Sequence, residues 1–466
     1  MVRGLSRRLG LERGASTSDL EAFDAQNRDR NYRREILVSG VLRVSMILLN
    51  FITIPLYIQF LGQERYGVWV TVISIGTWIA FLDVGIGNGM RNHVAEALSG
   101  GNRTRAREFV STAYIVLSGI ILAAVGIFIL VVILFDFSFQ SMFNTDLIPE
   151  HRLRWGVSLV VVVVLLNFAL GLVNQVLSAV QQHRLTSLGL VITNLLIVLL
   201  LGYGILFPVD DRFGFVVLIF SVCTLVGTLT LTFLTFRRHP HLLPGYRSFR
   251  REHVGSITGL GLRFFIIQVA VVIIFSTDNF IITQLFGAEM VTPYAISHKF
   301  FYTFFGVAML LIAPLWSAYT EAYEKGDMTW IGNKIKFLLR LFGGYCVVVI
   351  LLSFLFPWIK DVWVGPEVVV DSWLVILMGG FAIVVCWNSI FSVFLNGIGK
   401  IHVQLLVSIA GAVLNIPLSI YLGRNLGMGS GGIILSTILC LLIGAVFTSI
   451  QTYLILNDRA RGIWLK

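Results

Sequence analysis

Five ionisable residues, Arg43, Asp83, Arg263, Asp278 and Lys299, fall inside long apolar runs. A charge at membrane depth is costly, so each marks a candidate for anion binding, ion pairing or ion coupling. Arg43 and Arg263 lie about two turns inside their runs, where they either snorkel to the near interface or face a cavity. Asp278 sits in Ser276-Thr277-Asp278-Asn279, which interrupts an apolar stretch. Its short side chain snorkels poorly, and the expectation is a polar cavity or a basic partner. Tyr294, Ser297, His298, Lys299 and Tyr302 crowd one run, and positions 294, 298 and 302 share a helix face. That stripe reads as a cavity wall or as an aromatic rim at the membrane surface. Asp83 precedes Gly85, Gly87 and Gly89, which permit either a close helix crossing or a loosened helix end. Pro55, Pro314 and Pro417 fall within runs and are kink candidates for gating. Asn50, Asn194 and Asn415 are expected to bond neighbouring helices.

The elements that must position these residues are membrane spans. The 466 residues are 56% hydrophobic and 13% charged, with a mean hydropathy of +0.85, whereas soluble proteins carry roughly 25% charged residues. Runs of about 20 apolar residues span a bilayer as helices. Twelve are predicted: 36–60, 66–90, 109–135, 155–181, 185–207, 213–236, 257–286, 291–317, 335–358, 371–398, 402–423 and 430–455. With the N-terminus inside, inner segments hold about 26 Lys and Arg and outer loops about six. Both termini are therefore expected in the cytoplasm. The net charge of +10 follows from this placement and does not point to nucleic acid. Cys223, Cys346, Cys386 and Cys440 fall in apolar runs and read as small core residues. The polar, Arg-rich stretch before Ile36 lacks the apolar core of a signal peptide.

The same punctuation occurs twice, 225 positions apart. Gly62-Gln63-Glu64 and Ala95-Glu96-Ala97-Leu98-Ser99-Gly100-Gly101-Asn102 match Gly287-Ala288-Glu289 and Thr320-Glu321-Ala322-Tyr323-Glu324-Lys325-Gly326-Asp327. Asn174 and Ser178 are echoed by Asn388 and Ser392. The expected architecture is an all-α polytopic membrane protein, with about 12 transmembrane helices in two six-helix lobes. Residues 1–35 form a basic cytoplasmic segment, 36–236 the first lobe, 237–256 a cytoplasmic linker, 257–455 the second lobe and 456–466 a tail. Two similar halves point to a transporter with its site between them. No connector is long enough for a catalytic domain and no phosphate-cradling loop is present, so neither an enzyme nor direct ATP drive is expected, and no cofactor or metal is implied.

Leu61-Gly62-Gln63-Glu64-Arg65-Tyr66-Gly67-Val68-Trp69, followed by Leu82-Asp83-Val84-Gly85-Ile86-Gly87-Asn88-Gly89, resembles the start of bacterial polysaccharide-export and O-antigen flippases. These belong to the multidrug/oligosaccharidyl-lipid/polysaccharide (MOP) superfamily. The resemblance covers roughly residues 35–455. It implies a V-shaped cavity between two lobes in the bacterial inner membrane, opening alternately to either side. The cargo it implies is an oligosaccharide on a polyprenyl diphosphate, moved for O-antigen or exopolysaccharide biosynthesis. Membrane lipids and other polysaccharide-assembly proteins would be the further partners. Arg43, Arg263 and Lys299 would bind the diphosphate, Tyr294, His298 and Tyr302 would line the cavity, and Asp83 and Asp278 would be charge partners or coupling-ion sites. The related peptidoglycan-precursor flippases carry two further spans. A drug/cation antiporter of the same superfamily, and a membrane polysaccharide polymerase, remain alternatives.

The charge asymmetry is checked with reporter fusions at residues 145 and 245. Residue 145 should report outside and residue 245 inside; finding residue 245 outside overturns the orientation.

Overall fold

A computed structural model describes residues 41–42, 44–80, 86–135, 138–180, 182–258, 269 and 272–465, and among these no strand occurs. Arg43, Asp83, Gly85 and Arg263 lie outside the described residues. Backbone groups in hydrocarbon must be paired within their own segment, which is why the apolar runs become helices. The chain passes through α1 (Val44–Leu61), α2 (Gln63–Ala80), α3 (Ile86–Ser99), α4 (Arg103–Leu134), α5 (Glu150–Leu170), α6 (Leu172–Ala179), α7 (His183–Leu206) and α8 (Arg212–Arg238). It continues through α9 (Glu252–Thr258), α10 (Asp278–Phe286), α11 (Val291–Ile312), α12 (Leu315–Glu324), α13 (Met328–Val364), α14 (Ser372–Gly397), α15 (His402–Ile420) and α16 (Gly429–Leu456).

Ten helical segments among the described residues are long and apolar enough to cross a membrane, and each coincides with a predicted span. The predicted second span is seen as α2, and the predicted seventh as the helical residues 272–276 followed by α10. Several boundaries differ from the prediction. The ninth span is the 37-residue α13, which extends the predicted 335–358 at both ends and takes Lys334 onto helix. At 1.5 Å per residue it is about 55 Å long and must project beyond the hydrocarbon. Lys360, two residues past the predicted end of the ninth span, lies in α13, is buried and pairs with Asp361. Pro314 stops α11 and opens α12, as a missing N–H and a clashing ring require. Pro417 is accommodated inside α15, which continues as a π-helical turn over Tyr421–Asn425.

The structure carries the repeat down to single hydrogen bonds. Gly62 and Gly287 both take positive φ, +78° and +93°, and Gly101 and Gly326 take +73° and +74°. Only glycine adopts that region without strain. Asn102 N–H donates to Ala97 O at 2.9 Å, and Asp327 N–H to Ala322 O at 2.9 Å. The Asn102 side chain then caps α4 by accepting from Arg105 N–H, and Asp327 caps α13 by accepting from Trp330 N–H. Every one of these pairs keeps the 225-residue offset.

The fold has two lobes of packed helices. In one, α3 packs on α4, α5 on α8 and α7 on α8; in the other, α11 packs on α14, α14 on α16 and α15 on α16. α4 runs about 48 Å from the Gly101 turn to the Gly62 end, where Thr145 bonds Glu64 and Asn144 donates to Thr283 O. At that end the lobes interlock. α2 lies against Ala288–Met290, α10 and α11, with Gly67 so close that a Cβ would stand 1.8 Å from Ala288 O. Thr292 donates to Gln63 O at 2.7 Å and Gln63 to Glu289 O at 3.3 Å. Deeper in, the Thr71 and Thr283 hydroxyls share a 2.8 Å bond, and Asn279 donates to Ser74 Oγ at 2.8 Å.

The Gly67 contact is tested by Gly67→Val. Overpacking there should cost about 1–3 kcal/mol, lower the melting temperature in detergent, and expose a Thr292→Cys thiol to water-soluble reagents. Unchanged melting with a protected thiol would show that the interlock does not depend on Gly67.

Candidate functional site

A cavity of about 300 Å³ lies between α1, α2, residues 275–279 and α11. Its lining residues on α2, from Tyr66 to Ser74, stand about 6–18 Å along the helix from the Gly62 turn. The cavity therefore sits between the lobes, just beneath their interlock. Four of the candidate site residues meet there: Asp278, Tyr294, His298 and Lys299. The four-residue spacing on α11 produces a stack. Tyr294 and His298 have centroids 6.2 Å apart at 12°, and His298 and Tyr302 5.3 Å apart at 15°. His298 also packs on Phe381 of α14 at 5.2 Å. Tyr302, expected to line the cavity, does not line it; it is 41% exposed and supports His298 from the next turn. The physical reason is helix length, since each turn moves a residue 5.4 Å along the axis.

Asp278 is placed by a break in its own helix: 272–276 is helical, Thr277 bends, and α10 begins at Asp278. The carboxylate thus sits at the first turn of α10, beside N–H groups without intrahelical partners. Tyr294 donates to its Oδ2 at 2.5 Å, and Thr437 of α16 reaches the same oxygen at 3.3 Å. Asn415 of α15 donates to Thr437 Oγ1 at 3.1 Å and accepts, through its backbone carbonyl, from Ser436. Among the described residues, three oxygens in this buried network have no hydrogen-bond partner: Asp278 Oδ1, Asn415 Oδ1 and Ser419 Oγ. Asn415 and Ser419 are one turn apart on α15 and share a face. Such an all-oxygen set suits a proton or a small hard cation.

Lys299 is the only lysine or arginine lining the cavity among the described residues, and no carboxylate pairs with it there. Pro55 sits on α1, next to the lining residue Ile54. Gly87 lines a separate pocket of about 210 Å³ with Leu117, Asn167 and Gln175. Gly89 packs against α9, where a Cβ would come within 2.4 Å of Ile257 O. At Gly89 that contact is a close crossing, one of the two readings open for the glycines.

Sequence reasoning passed over Thr53, Tyr57, Tyr66, Trp69, Ser74 and Asn279, all of which line the cavity. Asn50 lines it too, but donates to Met46 O of its own helix rather than to a neighbour, as Asn194 does to Leu190 O. A signal was available: Asn50, Thr53 and Tyr57 recur at three- and four-residue spacing on one face of α1.

No protein-family profile matches the chain. Over 405 residues it is 20% identical to a candidate O-antigen transporter of Salmonella typhi, covering 84% of this chain and 88% of that protein. Over 372 residues it is 22% identical to a candidate O-antigen export protein of Yersinia pseudotuberculosis, covering 77% and 82%. The inward-facing structure of a multidrug resistance MATE transporter of the MOP superfamily superposes with a TM-score of 0.72 at 14% identity, covering 90% of this chain and 99% of that one. These relatives and the structural neighbour are transporters, not enzymes. With its many apolar helices, two lobes and a polar cavity between them, the chain has the fold of the MATE transporters, and the curated proteins it resembles are themselves candidate transporters.

Proposed function

We propose that this protein is an alternating-access flippase that moves a polyprenyl-diphosphate-linked oligosaccharide across the bacterial cytoplasmic membrane for polysaccharide export. The observation that carries the reading is Lys299, a cation without a carboxylate partner among the described residues, set in a polar cavity between the lobes. A diphosphate is the anionic group such a cation suits, and burial strengthens the attraction. Sugars and phosphates cannot enter hydrocarbon without replacement hydrogen bonds. Asn50, Thr53, Ser74 and Asn279 offer them while the isoprenoid tail stays in lipid. Arg43 and Arg263 extend the basic set in this proposal, and the candidate O-antigen transporters among the relatives support the same cargo class.

The proposed topology puts both termini in the cytoplasm, with 36–236 and 257–455 as six-helix lobes joined by 237–256. The Gly62/Gly287 end is then outer, and the interlock there corresponds to an outward-closed, inward-facing state. Gly85, Gly87, Gly89, Pro55 and Pro314 are proposed as the points where helices bend in the opposite step. An anionic headgroup moving outward down an inside-negative potential gains about 2.3 kcal/mol per charge per 100 mV. Asp83 and the Asp278–Asn415–Thr437 network are the proposed places for a coupling ion. The second reading, a drug/cation antiporter, draws on Asp278 and the aromatic rings Tyr57, Tyr66 and Trp69 around the cavity. Against it, one oxygen of that carboxylate is already taken by Tyr294 and Thr437.

The test is reconstitution in liposomes with a polyprenyl-diphosphate oligosaccharide, with and without an imposed potential. Wild-type protein should translocate it, faster with the inside negative. Lys299→Ala and Arg263→Ala should each slow it about tenfold or more, the equivalent of one charge-assisted hydrogen bond. No translocation, with proton-coupled dye export from the same vesicles, establishes the antiporter instead. Separately, Tyr294→Phe should lower stability by about 1–3 kcal/mol because it strips a buried carboxylate of a donor. An unchanged melting temperature in detergent would show that this bond is not structural.

A further inference from the structure

A second chamber, of about 180 Å³, lies within the second lobe between residues 274–275 and helices α14, α15 and α16. Three helices each supply a pair of lining residues four positions apart: Asn388 and Ser392, Gln404 and Ser408, Gly444 and Thr448. Residues so spaced share a helix face, so three polar or open faces converge on one space. No charged side chain lines it. Ser392, Gln404 and Ser408 have no hydrogen-bond partner among the described residues, and Gln404 Oε1 is a buried orphan. Asn388 uses its amide N–H on Leu441 O at 2.9 Å.

Polar groups left unmatched at membrane depth cost free energy unless something visits them. The space suits about six waters at ~30 Å³ each, comparable to one sugar ring. An uncharged wall of amides and hydroxyls neither attracts nor repels ions strongly. It does pair with groups that both donate and accept, which describes a neutral carbohydrate. Phe275 lines this chamber and also the Lys299 cavity, with its ring against Phe381 at 6.1 Å. The two spaces therefore meet at one aromatic side chain. They also lie toward opposite ends of the helices: Ser392 is five residues before Gly397, whose carbonyl is held by Thr320 beside the Gly326 turn.

We propose that this chamber is a subsite for a neutral sugar of the cargo, with Gln404, Ser408, Asn388 and Ser392 as hydrogen-bonding partners and Phe275 as the surface the ring crosses between the two spaces. This rests on the flippase reading. The diphosphate lies on the Lys299 side of Phe275, and one sugar beyond the first occupies the neutral chamber.

The experiment compares two liposome substrates, a polyprenyl diphosphate bearing one neutral hexose and another bearing a neutral hexose trisaccharide. Wild-type protein should move both. The Gln404→Leu/Ser408→Val double variant should move the monosaccharide form at the wild-type rate and the trisaccharide form about tenfold slower. Equal rates for the two forms in that variant would overturn the subsite and leave the flippase standing. Failure of the wild type to move either form would overturn the flippase, and the sugar assignment with it. A second measurement does not depend on transport. With the native cysteines replaced by alanine, Ser408→Cys should react with N-ethylmaleimide, and soluble neutral hexose trisaccharide should slow the reaction. A thiol that does not react, or reacts equally fast with the sugar present, overturns the proposal.

Discussion

The approach of α2 to the turn at Ala288 governs the rest of the molecule. Gly67 has no side chain, and the carbonyl of Ala288 occupies the space one would fill. That contact brings Gln63 within reach of Glu289 and Thr292, and the hydroxyls of Thr71 and Thr283 within bonding distance. It closes the ceiling of the cavity that holds Lys299 and Asp278. Close backbone approach through small residues is the usual means of helix association in lipid, where apolar burial between helices gains little. The bonds across this seam are neutral and few, each worth about 1 kcal/mol net. A seam of that strength closes one end of a transporter without locking it shut.

Below the seam the two lobes contribute unequally. Amides, hydroxyls and aromatic rings of α1 and α2 face a wall that carries the charged groups Asp278 and Lys299. The carboxylate is held in place from three other helices, through Tyr294 of α11, Thr437 of α16 and, behind it, Asn415 of α15. Whatever changes the charge at Asp278 therefore acts on α10, α11, α15 and α16 together. Lys299 stands on the same α11, five residues beyond Tyr294. The carboxylate and the cation are thus linked through one helix, a physical route by which an event at one can reposition the other.

The span positions were legible because apolar run length is a one-dimensional signal: ten predicted spans recur as helices. The repeat was legible because glycines with positive φ and capping Asn or Asp leave fixed marks in sequence. Helix ends were not, since a helix does not stop where its apolar run stops. Lys334, Lys336 and Arg340 lie on α13 because a helix can carry its cations out past the hydrocarbon. Within the site, Asp278, Tyr294, His298 and Lys299 stood out by cost and spacing. Tyr66 and Trp69 did not, because an aromatic in an apolar run looks the same whether it faces lipid or a cavity. The partners Thr437 and Asn415 lie 159 and 137 positions from Asp278, and no local pattern connects them.

The distribution of polarity across the second lobe bears on how a cargo with unlike parts could be handled. Charge is concentrated on the Lys299 side of Phe275, and uncharged hydrogen-bonding groups lie on the other. An apolar ring between them makes no strong bond to either a phosphate or a sugar. It can therefore divide the two environments without becoming a trap for what passes. Tight binding at any one point would slow release as much as it aids entry, so separate weak contacts serve translocation better than one strong site. The sparse cation set among the described residues and the unpartnered hydroxyls of the neutral chamber follow the same physical logic.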